Sequence, residues 1–404
     1  MKRRPVNRIA VGFAVLAALA LPAMAATETV LYSFKNYNSA YPSGRLRFIN
    51  GSLYGSSVGD ALVPTYGQIF KLRNEGGSWA KTSLLTFDKI NGAMPAAGVI
   101  RDANGVLYGT SSAGDAYNGG NVFALVKSGG KWAHQTIWAF GGTAGDGAQP
   151  YCDLVMDGSG NLYGTTYYGG AYNVGTVFEL SNVNGVWTET VLYSFTGQNG
   201  DGWFPYSGLL MAGSGTFYGT TQYGGDAGGN GTVFKLFQSG GVWKLKIIYS
   251  FTGGSDGYEP WGTLIRDKNG ALYGTTYAGG ATDEGVVFMV SRSAGKWTET
   301  TLHEFDSFNQ DGANPLAGLS WGPSGSLYGT TSEGGTPGYP GVGIVFELTQ
   351  SGGAWNETIL HSFEGDSDGS YPQGGVILDK NGALYGTTAL GGTDNLGTVW
   401  KIIP

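Results

Sequence analysis

The chain has 404 residues, with 73 Gly, 24 Tyr, 19 Phe and 11 Trp, and 30 Asp and Glu against 23 Lys and Arg, a net charge of −7. The acidic balance argues against nucleic acid and anionic membrane as partners. The single cysteine, Cys152, excludes an intramolecular disulfide, and with only three His it argues against a thiolate- or imidazole-rich metal cluster.

The first predicted element is a processing signal. Lys2, Arg3, Arg4 and Arg8 precede an apolar stretch of 11 residues, Val11 to Leu21, and Ala23-Met24-Ala25 fits a small-x-small cleavage site. Residues 1–25 therefore read as a secretory signal peptide, and the mature chain is expected to begin at Ala26. The stretch is too short for a membrane span, and no later apolar run is long enough for one. Removing the four basic residues of the leader leaves 19 Lys and Arg against 30 acids, about −11. A secreted or periplasmic location is expected.

The next element, Thr27 to Phe34, is rich in β-formers and finds its meaning only from the repeats C-terminal to it. Leu/Phe-Tyr-Gly occurs seven times, with tyrosines at 54, 108, 163, 218, 273, 328 and 385 and spacings of 54, 55, 55, 55, 55 and 57. The clearest unit runs Pro205-Tyr-Ser-Gly-Leu-Leu-Met, Phe217-Tyr-Gly-Thr-Thr, Gly231-Thr-Val-Phe-Lys-Leu and Trp243 to Phe251. Turn signals such as Gly224-Gly225 and Gly240-Gly241 stand between these segments, giving four predicted strands per unit. Four strands repeated seven times predict an all-β, seven-bladed β-propeller with four antiparallel strands per blade, occupying residues 26–404 as a single domain.

The chain ends distinguish a closed ring from an open solenoid. Thr27 to Phe34 matches the fourth segment, as at Thr188 to Phe195, whereas the C-terminal Gly397 to Ile403 is a third segment. The last blade is expected to be completed by the N-terminal strand, three strands from one end of the chain and one from the other. Closure removes exposed sheet edges, and a monomer is expected.

Two resemblances add to this reading. Pro260 to Asp267 followed by Gly270 to Tyr273 resembles the first two strands of NHL-type propellers. The resemblance implies that the Pro/Gly-rich strand, A, is innermost, with B (Leu-Tyr-Gly), C (Val-Phe) and D (Trp-led) further out in turn. The whole pattern, carried by Leu162-Tyr-Gly-Thr-Thr, Gly169-Gly170, Gly175 to Phe178, Ser194-Phe195 and Asp201-Gly-x-x-Pro205, resembles the GloVer tandem-repeat family of secreted bacterial proteins. That family has variable C-terminal anchors. None is seen after Pro404, which favours release or periplasmic retention, and the resemblance implies no activity.

Residues present in every copy are most simply structural. The strand-B tyrosines and the strand-D Trp residues are expected to pack between blades. An Asx stands four residues before each strand-A Pro: Asn38, Asn91, Asp146, Asp201, Asp256, Asp311 and Asp368. It is expected to form an Asx-turn, with a ring of Ca²⁺ ligands as the sharper alternative. His134, His303 and His361 all fall on outer strands, the last two where other blades carry Tyr, and are expected to pack. No nucleophile, metallopeptidase or phosphate-loop motif occurs, so no catalytic residue, metal or cofactor is assigned.

Positions that break the repeat are better functional candidates. Five blades carry Gly two or three residues after the strand-A Pro (Gly44, Gly98, Gly208, Gly318 and Gly375), whereas two carry Asp153 and Thr263. Blade 1 adds Arg45 and Arg47 where most blades are apolar, and Asp153 with Arg45 reads equally well as a ligand-orienting pair or a salt bridge. The D–A and B–C loops, expected on one face, carry many aromatic residues, including Tyr167, Tyr168, Phe204, Tyr223, Tyr277 and Tyr339. The candidate ligand-binding residues are Arg45, Tyr151, Asp153, Trp203, Tyr206, Tyr258, Trp261, Thr263 and Tyr371. Aromatic rings beside Asp, Asn and Gly suit stacking on sugars. The expected function is a non-catalytic binding or scaffold protein for a glycan or an extracellular protein. The alternative is a polysaccharide lyase or hydrolase with its site at the channel mouth.

Overall fold

The computed structural model describes residues 26–404 except 61–64, 199, 214, 227 and 337–340. The expected signal peptide and Tyr339 lie outside the described residues. Seven four-stranded antiparallel sheets succeed one another along the chain, each in the order A-B-C-D. Blade 4, for example, comprises Leu210–Met211, Thr216–Thr221, Thr232–Ser239 and Val242–Ser250. The tight C–D hairpin turns on Gly240 and Gly241, both at positive φ (63° and 77°), as a two-residue turn between twisted strands demands. The predicted closure holds. Thr27–Ser33 pairs antiparallel with Thr398–Ile403, from Thr27 opposite Ile403 to Ser33 opposite Thr398, and so becomes strand D of blade 7. No helix among the described residues is long and apolar enough to cross a membrane.

The core lies between blades. At each boundary the Phe that ends strand D meets an aromatic ring of strand C in the next blade. These contacts run from Phe34 on Phe70 (5.2 Å between ring centroids) to Phe363 on Trp400 (6.0 Å), and most are edge-to-face, as ring quadrupoles favour. The Gly that precedes strand C takes positive φ beneath the Pro of the next blade. At Gly175 (φ 106°) a Cβ would stand 2.5 Å from Pro205 Cδ, so Gly and Pro recur together. Strand-B hydroxyls add a further tie, since Ser56, Thr110, Thr165 and Thr275 donate to the carbonyls of Ala97, Cys152, Ser207 and Ala317 in the adjoining blade, at 2.7–3.0 Å.

Two features go beyond the sequence reading. Strand A pairs with strand B over only two or three residues, beginning five residues after its Pro, as at Val155–Met156. The residues between Pro and this pairing run along the central channel. On the face above them, the D–A loop of blades 2 to 7 is joined to the B–C loop of its own blade by a short ribbon or bridge, such as Gly202–Trp203 with Tyr223–Gly224. The residue before each strand-A Pro is left-handed in all seven blades: Tyr41, Met94, Gln149, Phe204, Glu259, Asn314 and Tyr371, with φ 55–58°. Both neighbours hold it there. Phe204, for instance, donates its N–H to Val174 O in the blade behind and accepts from Gln222 N in its own blade.

Candidate functional site

Counting from each Pro sorts the channel into rings. The first residue after Pro forms the mouth: Ser43, Ala96, Tyr151, Tyr206, Trp261, Leu316 and Gln373. The third forms a waist of Arg45, Gly98, Asp153, Gly208, Thr263, Gly318 and Gly375, so Arg45 occupies the same ring as the two other side chains that break the glycine pattern. Here the glycines are forced by proximity. A Cβ on Gly98 would stand 2.4 Å from Arg45 O, and one on Gly318 2.3 Å from Thr263 O. Asp153 and Thr263 each serve the blade behind, their Oδ1 and Oγ1 accepting the N–H groups of Gly98 (2.7 Å) and Gly208 (3.1 Å). Arg45 crosses the channel and donates from Nη2 to Ser320 Oγ at 2.7 Å, and Ser320 donates its own hydroxyl proton to Val376 O. Arg45 and Asp153 therefore face the same space and attract each other without closing an ion pair.

The mouth is asymmetric. In blades 3 to 5 it is an arc of partly exposed rings, with Tyr151 stacked on Tyr206 (4.9 Å, 15°), Tyr206 tilted against Trp261 (5.0 Å, 40°) and Trp261 stacked on Tyr277 (5.5 Å, 27°). Behind it Tyr167 stacks on Phe204 at 4.7 Å. Polar groups thread the same patch: Tyr167 OH donates to Gln222 Oε1 (2.8 Å), and Gln222 Nε2 reaches Glu259 Oε2 (3.2 Å). The indole N–H of Trp261 is buried without a hydrogen-bond partner among the described residues. Below the arc a small cavity of about 100 Å³ opens, and beyond the waist a larger one of about 400 Å³. Among the described residues, Asp153 is the only carboxylate lining either cavity.

Six of the nine candidate residues converge here: Arg45, Tyr151, Asp153, Tyr206, Trp261 and Thr263. The other three lie further out. Trp203 sits on a loop ribbon facing Tyr223, with 6.3 Å between centroids. Tyr258 donates its hydroxyl to Asp283 (3.2 Å), and Tyr371 is one of the left-handed residues, its N–H held by Val342 O. Burial, then Tyr151, pushes the Tyr206 hydroxyl up to about 12, and burial raises Tyr151 too, so these hydroxyls stay neutral. Burial pushes the Cys152 thiol up to about 11, leaving it an inert core group. Burial also lowers the Arg45 pKa, a drop that Asp153 opposes and Arg47 reinforces.

A second arrangement, on the outer strands, was missed by sequence reasoning. The loop aspartates accept hydrogen bonds from their own loops, as Asp201 does from Thr196 N, and from a strand-D side chain, as from Tyr193 OH. His303 and His361, on adjacent blades, take that tyrosine's place and reach Asp311 and Asp368 at 2.9 and 3.1 Å. Facing these aspartates from the next blade are the half-buried Glu189, Glu299, Glu357 and Glu28, on the inward phase of strand D. Among the described residues, His303, Asp311 and Glu357 bring three ligand-type atoms within 4.8 Å of one another, a grouping that could hold a metal ion. The recurring Thr/Asn-Glu-Thr of strand D was the signal, since its Glu alternates in phase with the buried Trp two residues earlier or, at Glu28, where that Trp would stand.

Solved structures of distant sequence share this architecture. A hypothetical selenium-binding protein from Sulfolobus tokodaii superposes with a TM-score of 0.56 at 10% identity, over 80% of each chain. The polysaccharide lyase Uly1 does so at 0.50 and 12%, over 91% of this chain and 92% of its own. PorZ, a surface component of the type-IX secretion system of Porphyromonas gingivalis, matches at 0.50 and 14%, over 92% of this chain. The chain spans about half the length of PorZ (47%). At such identities the likeness is one of fold. No curated protein sequence matches the chain. The pattern described as the Gloeobacter/Verrucomicrobia repeat matches residues 20–228 and 188–400, overlapping spans that together reach from the first strand almost to the last residue, and the chain belongs to that repeat family.

Proposed function

We propose that this propeller is a non-catalytic binding protein, working outside the cytoplasm, that takes a saccharide on the aromatic arc of its channel mouth. The observation that carries the reading is the asymmetry of the mouth ring. Three consecutive blades present Tyr151, Tyr206 and Trp261, and the other four present Ser43, Ala96, Leu316 and Gln373. Seven equivalent blades have the same packing problem, so rings gathered on one side answer to something other than packing. Flat, partly exposed aromatic faces suit the C–H face of a pyranose. The half-buried Glu259 carboxylate, oriented by Gln222, supplies a polar partner for its hydroxyls.

The way the site's carboxylates are engaged weighs against a hydrolase. Glycoside hydrolysis uses two carboxyl groups roughly 5–10 Å apart. Asp153, the only carboxylate lining the two cavities among the described residues, has one oxygen committed to Gly98 N–H, while Glu259 at the mouth is engaged by Gln222. A glycan array and then calorimetry test the proposal. The double variant Tyr206→Ala/Trp261→Ala is expected to weaken the best ligand about tenfold or more. Unchanged affinity would remove the mouth as the site, and release of reducing ends or unsaturated uronides, lost in Asp153→Ala, would establish the enzymatic reading instead.

A further inference from the structure

The cavity beyond the waist shares Arg45 and Asp153 with the one below the aromatic arc but has its own chemistry. Its lining comes from the third to sixth residues after Pro in blades 1, 2, 3, 6 and 7. Its polar lining is Arg45, Arg47, Ser320 and Asp153, and its apolar lining includes Phe48, Trp321, Ile377 and Leu378. In the ring that pairs with the strand-B tyrosines, five blades carry Ile, Val or Leu, and only blades 1 and 6 depart, with Arg47 and Ser320. Arg45 and Arg47 both line the cavity. Arg45 spends one Nη on Ser320, while its Nε is buried with no partner among the described residues. Arg47 makes a long contact, 3.4 Å, to Val99 O. A buried guanidinium with an unused donor is costly unless an acceptor arrives.

We propose that this lower cavity binds a small organic monocarboxylate, its carboxylate held by Arg45 and Arg47 and its apolar body lying against Trp321, Ile377 and Leu378. A planar carboxylate matches the guanidinium fork. Two arginines against Asp153 leave one net positive charge, which selects a monoanion over a dianion. The volume of about 400 Å³ has room for a bicyclic acid. The site does not depend on the saccharide reading, because the rings of the mouth lie on the other side of the waist.

The test is calorimetric titration of the folded protein with 1-naphthoate and with its neutral isostere naphthalene-1-carboxamide. One naphthoate per chain is expected, with the amide at least tenfold weaker. Arg47→Gln, at an exposed residue whose guanidinium makes a long contact to Val99 O, is expected to weaken naphthoate about tenfold and Arg45→Gln/Arg47→Gln to abolish it, while Tyr206→Ala/Trp261→Ala leaves it unchanged. Equal binding of acid and amide, indifference to Arg47→Gln, or no naphthoate binding at millimolar concentration overturns the proposal.

Discussion

His303 Nε2 stands 2.9 Å from Asp311 Oδ2, in the place where Tyr193 and Tyr249 set hydroxyls 3.1 and 2.8 Å from Asp201 and Asp256. Imidazole and phenol thus do one job, bracing the loop aspartate from the outer strand, and the histidine additionally meets Glu357 at 3.6 Å. His303→Tyr is therefore expected to leave the urea midpoint almost unchanged. His303→Ala, which strips a half-buried carboxylate of its donor, should cost roughly 1–3 kcal/mol. If both substitutions destabilise equally, the equivalence is wrong.

The outer carboxylates predict how stability depends on pH. Burial raises Glu28, Glu189 and Glu299 from 4.5 to about 7, and Glu357 moves the same way through burial and Asp311. The folded chain then holds protons that the unfolded chain has released, so the stability these groups contribute is complete below about pH 4.5 and is lost as pH rises through 7 and beyond. At Asp256 and Asp368 burial is outweighed by hydrogen bonds that hold the pKa down, so acid destabilises through them. Thermal unfolding is expected to be most favourable to the fold near pH 5 and to lose roughly 5 °C by pH 8.5, with Glu299→Gln flattening the decline. A Tm that is level or rising over that range contradicts the assignment.

Met94 holds φ 55° while 42% exposed, in the left-handed place that blade 6 fills with Asn314. A non-glycine residue there costs about 1–2 kcal/mol, less for Asn and more for a β-branched side chain. Met94→Asn should therefore stabilise by about 0.5–1 kcal/mol and Met94→Val destabilise by about 1 kcal/mol or more, read from equilibrium unfolding. The reverse order would show that the loop relaxes and the strain is not real.

Much of the architecture is legible in the sequence because each strand from B to D carries its own periodic signal and repeats it seven times. Strand A is shorter than its sequence suggests. Its first four residues answer to the axis and to neighbouring blades, through contacts such as Gly98 N–H on Asp153, and leave no alternation to see. The loop ribbons pair only two residues each, below the length at which a pattern exists. Within the mouth, Tyr151, Tyr206 and Trp261 are legible because each comes directly after a Pro whose place is fixed. Trp203, Tyr258 and Tyr371 precede that Pro, where the left-handed residue swings the chain and sends the side chains outward. The outer acids escape notice because a Glu flanked by Thr reads as a solvated strand until the next blade is laid against it.

The pairing of Thr27 with Ile403 places the unit written in the gene one strand out of step with the unit seen in space. A duplication or loss of one 55-residue copy, wherever it falls, then alters the number of blades and never the identity of the two strands that lock the ring. Copy number is free to drift as far as the lock is concerned. A change of copy number would be felt at the axis, where neighbouring blades approach so closely that the Cβ Gly98 lacks would lie 2.4 Å from Arg45 O. A ring of six or eight would change the angle between neighbouring blades, and contacts between them such as Gly98 N–H on Asp153 would have to adjust.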